Sequence, residues 1–96
     1  MLVLVVYDIR TISPEGCTRL RRVAKVCESV GRRVQNSVFE CLLDTAQLRQ
    51  LQTRLEREID PEQDLIRYYN LGNNFQERIM VRGAEEACMY EAPLVL

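Results

Sequence analysis

Leu2 to Ile9 read LVLVVYDI, a run of β-branched and aromatic side chains too continuous to alternate. It predicts a central strand flanked by neighbours and covered on at least one face. The strand ends by presenting an acid, Asp8. Ser13-Pro14-Glu15 then supplies a cap, a proline at the first helical position and an acid in the first turn, which together predict a helix start. Cys17, Leu20, Ala24 and Cys27 follow at helical spacing, with Val23 and Val30 widening the stripe, while Arg19, Arg22 and Lys25 fall toward other faces. Gly31 is placed to end that helix in the left-handed conformation.

The segment RVQNSVFECLL, Arg33 to Leu43, is extended in character, and Asn36-Ser37 offers a tight turn that splits it into a hairpin. A single bent strand is the alternative. Asp44 or Thr45 caps a second helix carrying the stripe Leu48, Leu51 and Leu55, and Asp60-Pro61 stops it. DLIRYYNL, Asp64 to Leu71, predicts another strand. After the polar loop Gly72-Asn73-Asn74 comes a short fifth strand, Arg78 to Val81. The order β-α-β-β-α-β gives an α+β fold of the ferredoxin-like split βαβ type, with both helices on one face of the sheet. The opposite face must be hidden by something. A second copy of the same sheet is the economical answer in a chain of this size, so a homodimer is expected. The domain is expected to span residues 1–82. Residues 83–96 form a C-terminal tail whose apolar end, Pro93-Leu94-Val95-Leu96, is expected to dock on the partner chain.

With 96 residues, 47% of them hydrophobic, the chain can hide only about 60–65% of its unfolded surface. A deep private cavity is therefore not expected, and function is expected to need a partner surface. No apolar run approaches the length of a membrane span, and the opening apolar stretch lacks the flanks of a signal peptide, so a cytoplasmic location is expected. There is no histidine, which excludes Ser-His-Asp and Cys-His hydrolysis and His-ligated zinc. The cysteines at 17, 27, 41 and 88 form no C-x-x-C pair. Core packing is the expected role of Cys17, Cys27 and Cys41.

The overall charge of −1 conceals an asymmetry: residues 1 to 33 carry seven basic groups against three acids, the rest six against eleven. Twelve of the thirteen cations are arginine, whose planar fork suits phosphate and carboxylate. The first third could hold a polyanion, or its arginines could simply form a solvated face.

Asp8 is the most informative residue. An acid at the end of a buried strand is costly unless paired, hydrogen-bonded or metal-bound. Were a dimer axis to pass nearby, Asp8 from each chain could supply two carboxylates to one shared, hydrated Mg²⁺. Such an ion polarises a phosphoryl oxygen and activates water, a route to phosphodiester cleavage without histidine. The alternative is an exposed acid that caps the following turn or pairs with Arg10. Tyr7 and Phe39 could stack on a base, although an aromatic in a strand is more often core. Ser13 and Ser37 lack an activating base and read as cap and turn.

The opening strand LVLVVYDI, the helix RLRRVAKVCESVG, the block RVQNSVFEC and the late strand LIRYYNL together resemble the CRISPR-associated protein two (Cas-two) family, over residues 1 to about 82. The resemblance implies a ferredoxin-like dimer that works with the CRISPR integrase Cas-one in capturing new spacers from foreign DNA for antiviral defence. It also implies a metal-dependent endonuclease acting on single-stranded RNA or double-stranded DNA. By the resemblance Asp8 matches the metal-binding acid, for Mg²⁺ with Mn²⁺ as a substitute. Tyr7, Phe39 and the arginines near the first helix match positions linked to activity or substrate, which makes Arg10, Arg19, Arg22, Arg32 and Arg33 the candidate nucleic-acid contacts. The rival from another class is a non-catalytic dimeric adaptor that holds DNA between integrase subunits. A metabolite-binding regulatory domain ranks last, because only four glycines are present to build ligand loops.

Overall fold

The computed structural model describes residues 1–84. In chain order it contains β1 (Leu2–Asp8), α1 (Pro14–Glu28), β2 (Arg32–Gln35), β3 (Val38–Leu42), α2 (Thr45–Glu58) and β4 (Leu65–Asn70), then a 3₁₀ turn, Phe75–Arg78. The strands form one antiparallel sheet in the order β2-β3-β1-β4, the arrangement expected of two split βαβ crossovers.

Local signals set the boundaries. The Ser13 side chain accepts a hydrogen bond from Gly16 N at 3.1 Å, with Pro14 at the first helical position. Asp44 and Gln47 form a reciprocal capping box at the start of α2. Asn36-Ser37 makes the turn between β2 and β3, so the hairpin replaces the single bent strand.

Side chains alternate across the sheet, and antiparallel partners share a face. Val3, Val5 and Tyr7 of β1 are aligned with Cys41, Phe39, Tyr68 and Ile66 and face the helices. They close the core with Ile9, Leu43, Val23, Val26, Cys27, Leu51 and Leu55. Leu4, Val6 and Asp8 lie on the opposite face with Val38, Glu40, Tyr69, Arg67 and Leu65.

Three expectations need correcting. Residues 78–81 form no strand: the chain coils into the 3₁₀ turn, nothing among the described residues offers a ladder, and Met80 stands 93% exposed. Gly31 is not left-handed, since α1 ends at Glu28 with Ser29 in the right-handed region. A glycine is needed there because a Cβ would collide with the Cys41 sulfur and the Glu40 carbonyl oxygen. Cys17 is exposed, its thiol directed at the Thr11 carbonyl at 3.6 Å, whereas Cys27 and Cys41 are core as expected. Burial pushes the latter two thiols up to about 12 and about 11, so neither is an activated nucleophile. Of the tail, residues 83–96, positions 85–96 lie outside the described residues.

Asp64 is the buried charged residue of the described chain, its side chain wholly shielded. Burial raises its pKa, but hydrogen bonds from Arg19, from the Asp60 amide and from the Arg10 amide outweigh this and hold it below the ordinary carboxylate value. A depressed folded pKa adds stability that is complete above the unfolded value of about 4 and is lost as pH falls through the folded one. Urea titrations from pH 7 to pH 2 are therefore expected to show an acid-labile component that is absent in Asp64→Asn. Asp64→Ala, which also takes the acceptor from the Asp60 and Arg10 amides, is expected to lower the urea midpoint at pH 7 by more than Asp64→Asn does. By the same assay Phe39→Ala is expected to cost about 3–5 kcal/mol, through the cavity it opens.

Candidate metal and nucleic-acid site

β1 carries Asp8 out of the sheet as its last residue, aligned with Leu65 of β4. The carboxylate is exposed, on the face away from the helices, and has no hydrogen-bond or ion-pair partner among the described residues. It is thus neither the cap of the following turn nor the partner of Arg10. No group of three or more acids and cysteines gathers into a metal site among the described residues. One carboxylate on one chain is a sparse ligand set. It suits Mg²⁺, which keeps most of its waters and binds through one or two carboxylates, once a second carboxylate is brought alongside.

Most of the face on which Asp8 sits is apolar. Leu42, Leu65 and Tyr69 are 44%, 51% and 44% exposed, and Leu4, Val6 and Val38 lie half-buried between them. No described element covers it. Charge enters this face at Arg67, whose guanidinium donates to the Tyr69 hydroxyl at 3.3 Å, and at the Arg32–Glu40 ion pair, 3.1 Å long.

Of the five candidate arginines, two keep an accessible charge with little to hold it. The Arg10 side chain is exposed, with no ion pair among the described residues, two positions beyond Asp8. Arg22 is 67% exposed and only approaches Glu58, at 3.9 Å. The other three are engaged. Arg19 donates from Nε to Asp64 at 2.7 Å with its side chain 17% exposed, and the Arg32 fork grips Glu40 from Nε and Nη2. Arg33 pairs with Glu28 at 3.3 Å and lies 5.1 Å from the centre of the Phe39 ring. Arg19 and Arg32 are therefore structural cations in this fold. Their carboxylate partners, Asp64 and Glu40, lie 45 and 8 residues along the chain.

Tyr7 and Phe39 are not positioned to touch substrate. They are 3% and 0% exposed, and their rings stack 6.1 Å apart on the helix side of the sheet. The Tyr7 hydroxyl donates to the Asn36 carbonyl at 3.3 Å, and burial raises its pKa. Both are core residues, and the Arg33 guanidinium rests on the Phe39 ring. Sequence reasoning missed Asp64 and Arg67. An acid placed directly before an apolar strand was a usable signal for the first; for Arg67, its position inside a strand could have suggested an interface.

Among the described residues no helix is long and apolar enough to cross a membrane. Residues 1–79 match the family model described as CRISPR associated protein Cas2. The chain is 48% identical over 95 residues to a CRISPR-associated endonuclease Cas2 from Halalkalibacterium halodurans, with 99% of each chain covered. It is 50% identical over 96 residues to a CRISPR-associated endoribonuclease Cas2 from Chlorobaculum tepidum, with each covered in full. Among solved structures it is similar to Streptococcus pyogenes Cas2, with a TM-score of 0.76 and 49% identity over 86% of this chain and 100% of that one. A four-stranded sheet backed by two helices, an acid ending its central strand, and these likenesses in sequence and shape agree: the chain belongs to the CRISPR associated protein Cas2 family.

Proposed function

We propose that this chain is a Mg²⁺-dependent endonuclease of CRISPR spacer acquisition, working as a two-fold dimer alongside the Cas-one integrase. The observation that carries the reading is the unpaired Asp8 carboxylate at the end of the central strand, on the apolar face that no described element covers. A second copy of that face would bury Leu42, Leu65 and Tyr69 and could bring a second Asp8 alongside the first. The endonuclease and endoribonuclease names of the two relatives support phosphodiester cleavage.

When bound, Mg²⁺, or Mn²⁺ in its place, supplies polarisation of a phosphoryl oxygen and a water of lowered pKa. The chain's own residues supply the rest. Asp8 offers hard oxygen ligands. Arg10, exposed two positions on, offers a forked donor to the non-bridging oxygens of the same or an adjacent phosphate. Arg22, on the outer surface of α1, contacts the backbone farther away. These contacts read phosphate and not sequence.

Asp8→Asn keeps the shape of the side chain and removes its charge. It is expected to abolish Mg²⁺-dependent cleavage of a panel of RNA and DNA substrates while sedimenting as a dimer like the wild type. Cleavage that persists in Asp8→Asn would place the metal elsewhere. Duplex binding without cleavage by the rigorously purified wild type would favour the adaptor.

Arg10→Ala and Arg22→Ala together are expected to flatten the slope of log K against log salt by about two units, equally for unrelated duplexes. An unchanged slope would show that neither arginine meets a phosphate.

A further inference from the structure

The Asp64 carboxylate accepts four hydrogen bonds, as many as its oxygens have lone-pair sites. Oδ2 takes Arg19 Nε at 2.7 Å and the Asp60 amide at 2.8 Å; Oδ1 takes the Arg10 amide at 3.0 Å and Arg19 Nη2 at 3.3 Å. Arg19 Nη2 also reaches the Arg10 carbonyl at 3.4 Å. The first turn of α1 closes on that same carbonyl so tightly that a Cβ on Gly16 would overlap it. The backbone of Arg10 is thus held at its N–H by Asp64 and at its C=O by Arg19, with Gly16 packed behind it.

This grip adds stability, as the depressed Asp64 pKa shows, and it also fixes a position. The turn that follows is exposed at Thr11 and Ile12. A buried ion pair is often no more stabilising than an apolar pair of the same size. What the network provides besides stability is position. Asp8 is fixed on one side by its ladder partner Leu65, the residue after Asp64, and on the other by the clamped Arg10, two residues on.

We propose that Asp64, acting through Arg19 and the Arg10 peptide, is a positioning residue that sets the Asp8 carboxylate and the Arg10 guanidinium in a fixed relation for a metal-bound phosphodiester. The inference rests on the reading of Asp8 given above. Asp64 touches neither metal nor substrate. It orders the backbone that runs from the end of β1, at Asp8, into the turn that carries Arg10.

The test compares full-length wild type, Asp64→Asn, Arg19→Lys and Asp8→Asn with Leu51→Ala. The last destabilises the core under α2 without contacting the turn and controls for lost stability, all at a temperature where every variant is folded. Three quantities are read: exchange of the Arg10 amide by NMR, the Mg²⁺ concentration giving half-maximal cleavage, and duplex affinity without Mg²⁺. In Asp64→Asn the retained Oδ1 loses its charge and the new Nδ2 donors face Arg19 Nε and the Asp60 amide, so the Arg10 amide is expected to exchange about tenfold faster. Its half-saturating Mg²⁺ is expected to rise about tenfold, with metal-free duplex affinity within about twofold of wild type. Arg19→Lys, which keeps the charge but loses the fork, is expected to fall between, and Leu51→Ala to match wild type in all three. An Arg10 amide still protected in Asp64→Asn would overturn the clamp. Faster exchange with unchanged Mg²⁺ dependence would overturn the positioning role. Metal-dependent cleavage surviving in Asp8→Asn would overturn the reading of Asp8 and the positioning role with it, and would show in that variant alone.

Discussion

β1 is hydrogen-bonded along both edges and apolar along both faces, yet the two helices can cover only one of those faces. Val3, Val5 and Tyr7 are completed by α1 and α2, and the core ends there. Leu4 and Val6, with Leu42, Leu65 and Tyr69 around them, are left for something outside the described chain. The acid that ends the strand belongs to this second face by the same alternation. In the proposed dimer, one constraint therefore makes the interface necessary and puts the candidate ligand within it. Without a cation two approaching carboxylates repel, so an ion between them would couple metal binding to association.

The charged residues divide along the same line. Arg19 and Arg32 are consumed by carboxylates of the same chain, and Arg33 by Glu28 and the Phe39 ring. Of the seven cations of the first third, Arg10, Arg21, Arg22 and Lys25 remain exposed and available to a ligand. The positive balance of the first third is thus partly internal bookkeeping: it overstates the cation available for phosphate. What remains is placed usefully, since Arg10 follows Asp8 by two residues and its peptide is clamped while its side chain is exposed.

The order of elements was legible because each boundary has a local cause: Ser13-Pro14, Asn36-Ser37, the Asp44 box and Asp60-Pro61 act within a few residues of themselves. The orphan sheet face was legible for a related reason, since two helices cannot cover two faces. Asp8 stood out because an acid after five apolar residues has few inexpensive explanations. What failed depended on distant neighbours. The Asp64 network joins positions 54 and 45 residues apart, Gly31 is required by a sulfur on β3, and residues 78–81 have the composition of a strand without a ladder to join. Tyr7 and Phe39 show the limit of resemblance: it marked the positions, and packing decided that their rings face inward.

A heterodimer of one wild-type chain and one Asp8→Asn chain, purified through two different tags and assayed with Mg²⁺, measures the sharing of the ion directly. If one ion lies between two Asp8 carboxylates, the single shared site is lost with either of them and the heterodimer cleaves at the background rate of the doubly substituted dimer. A heterodimer retaining half of the wild-type rate would show that each chain holds its own metal, and would contradict the account.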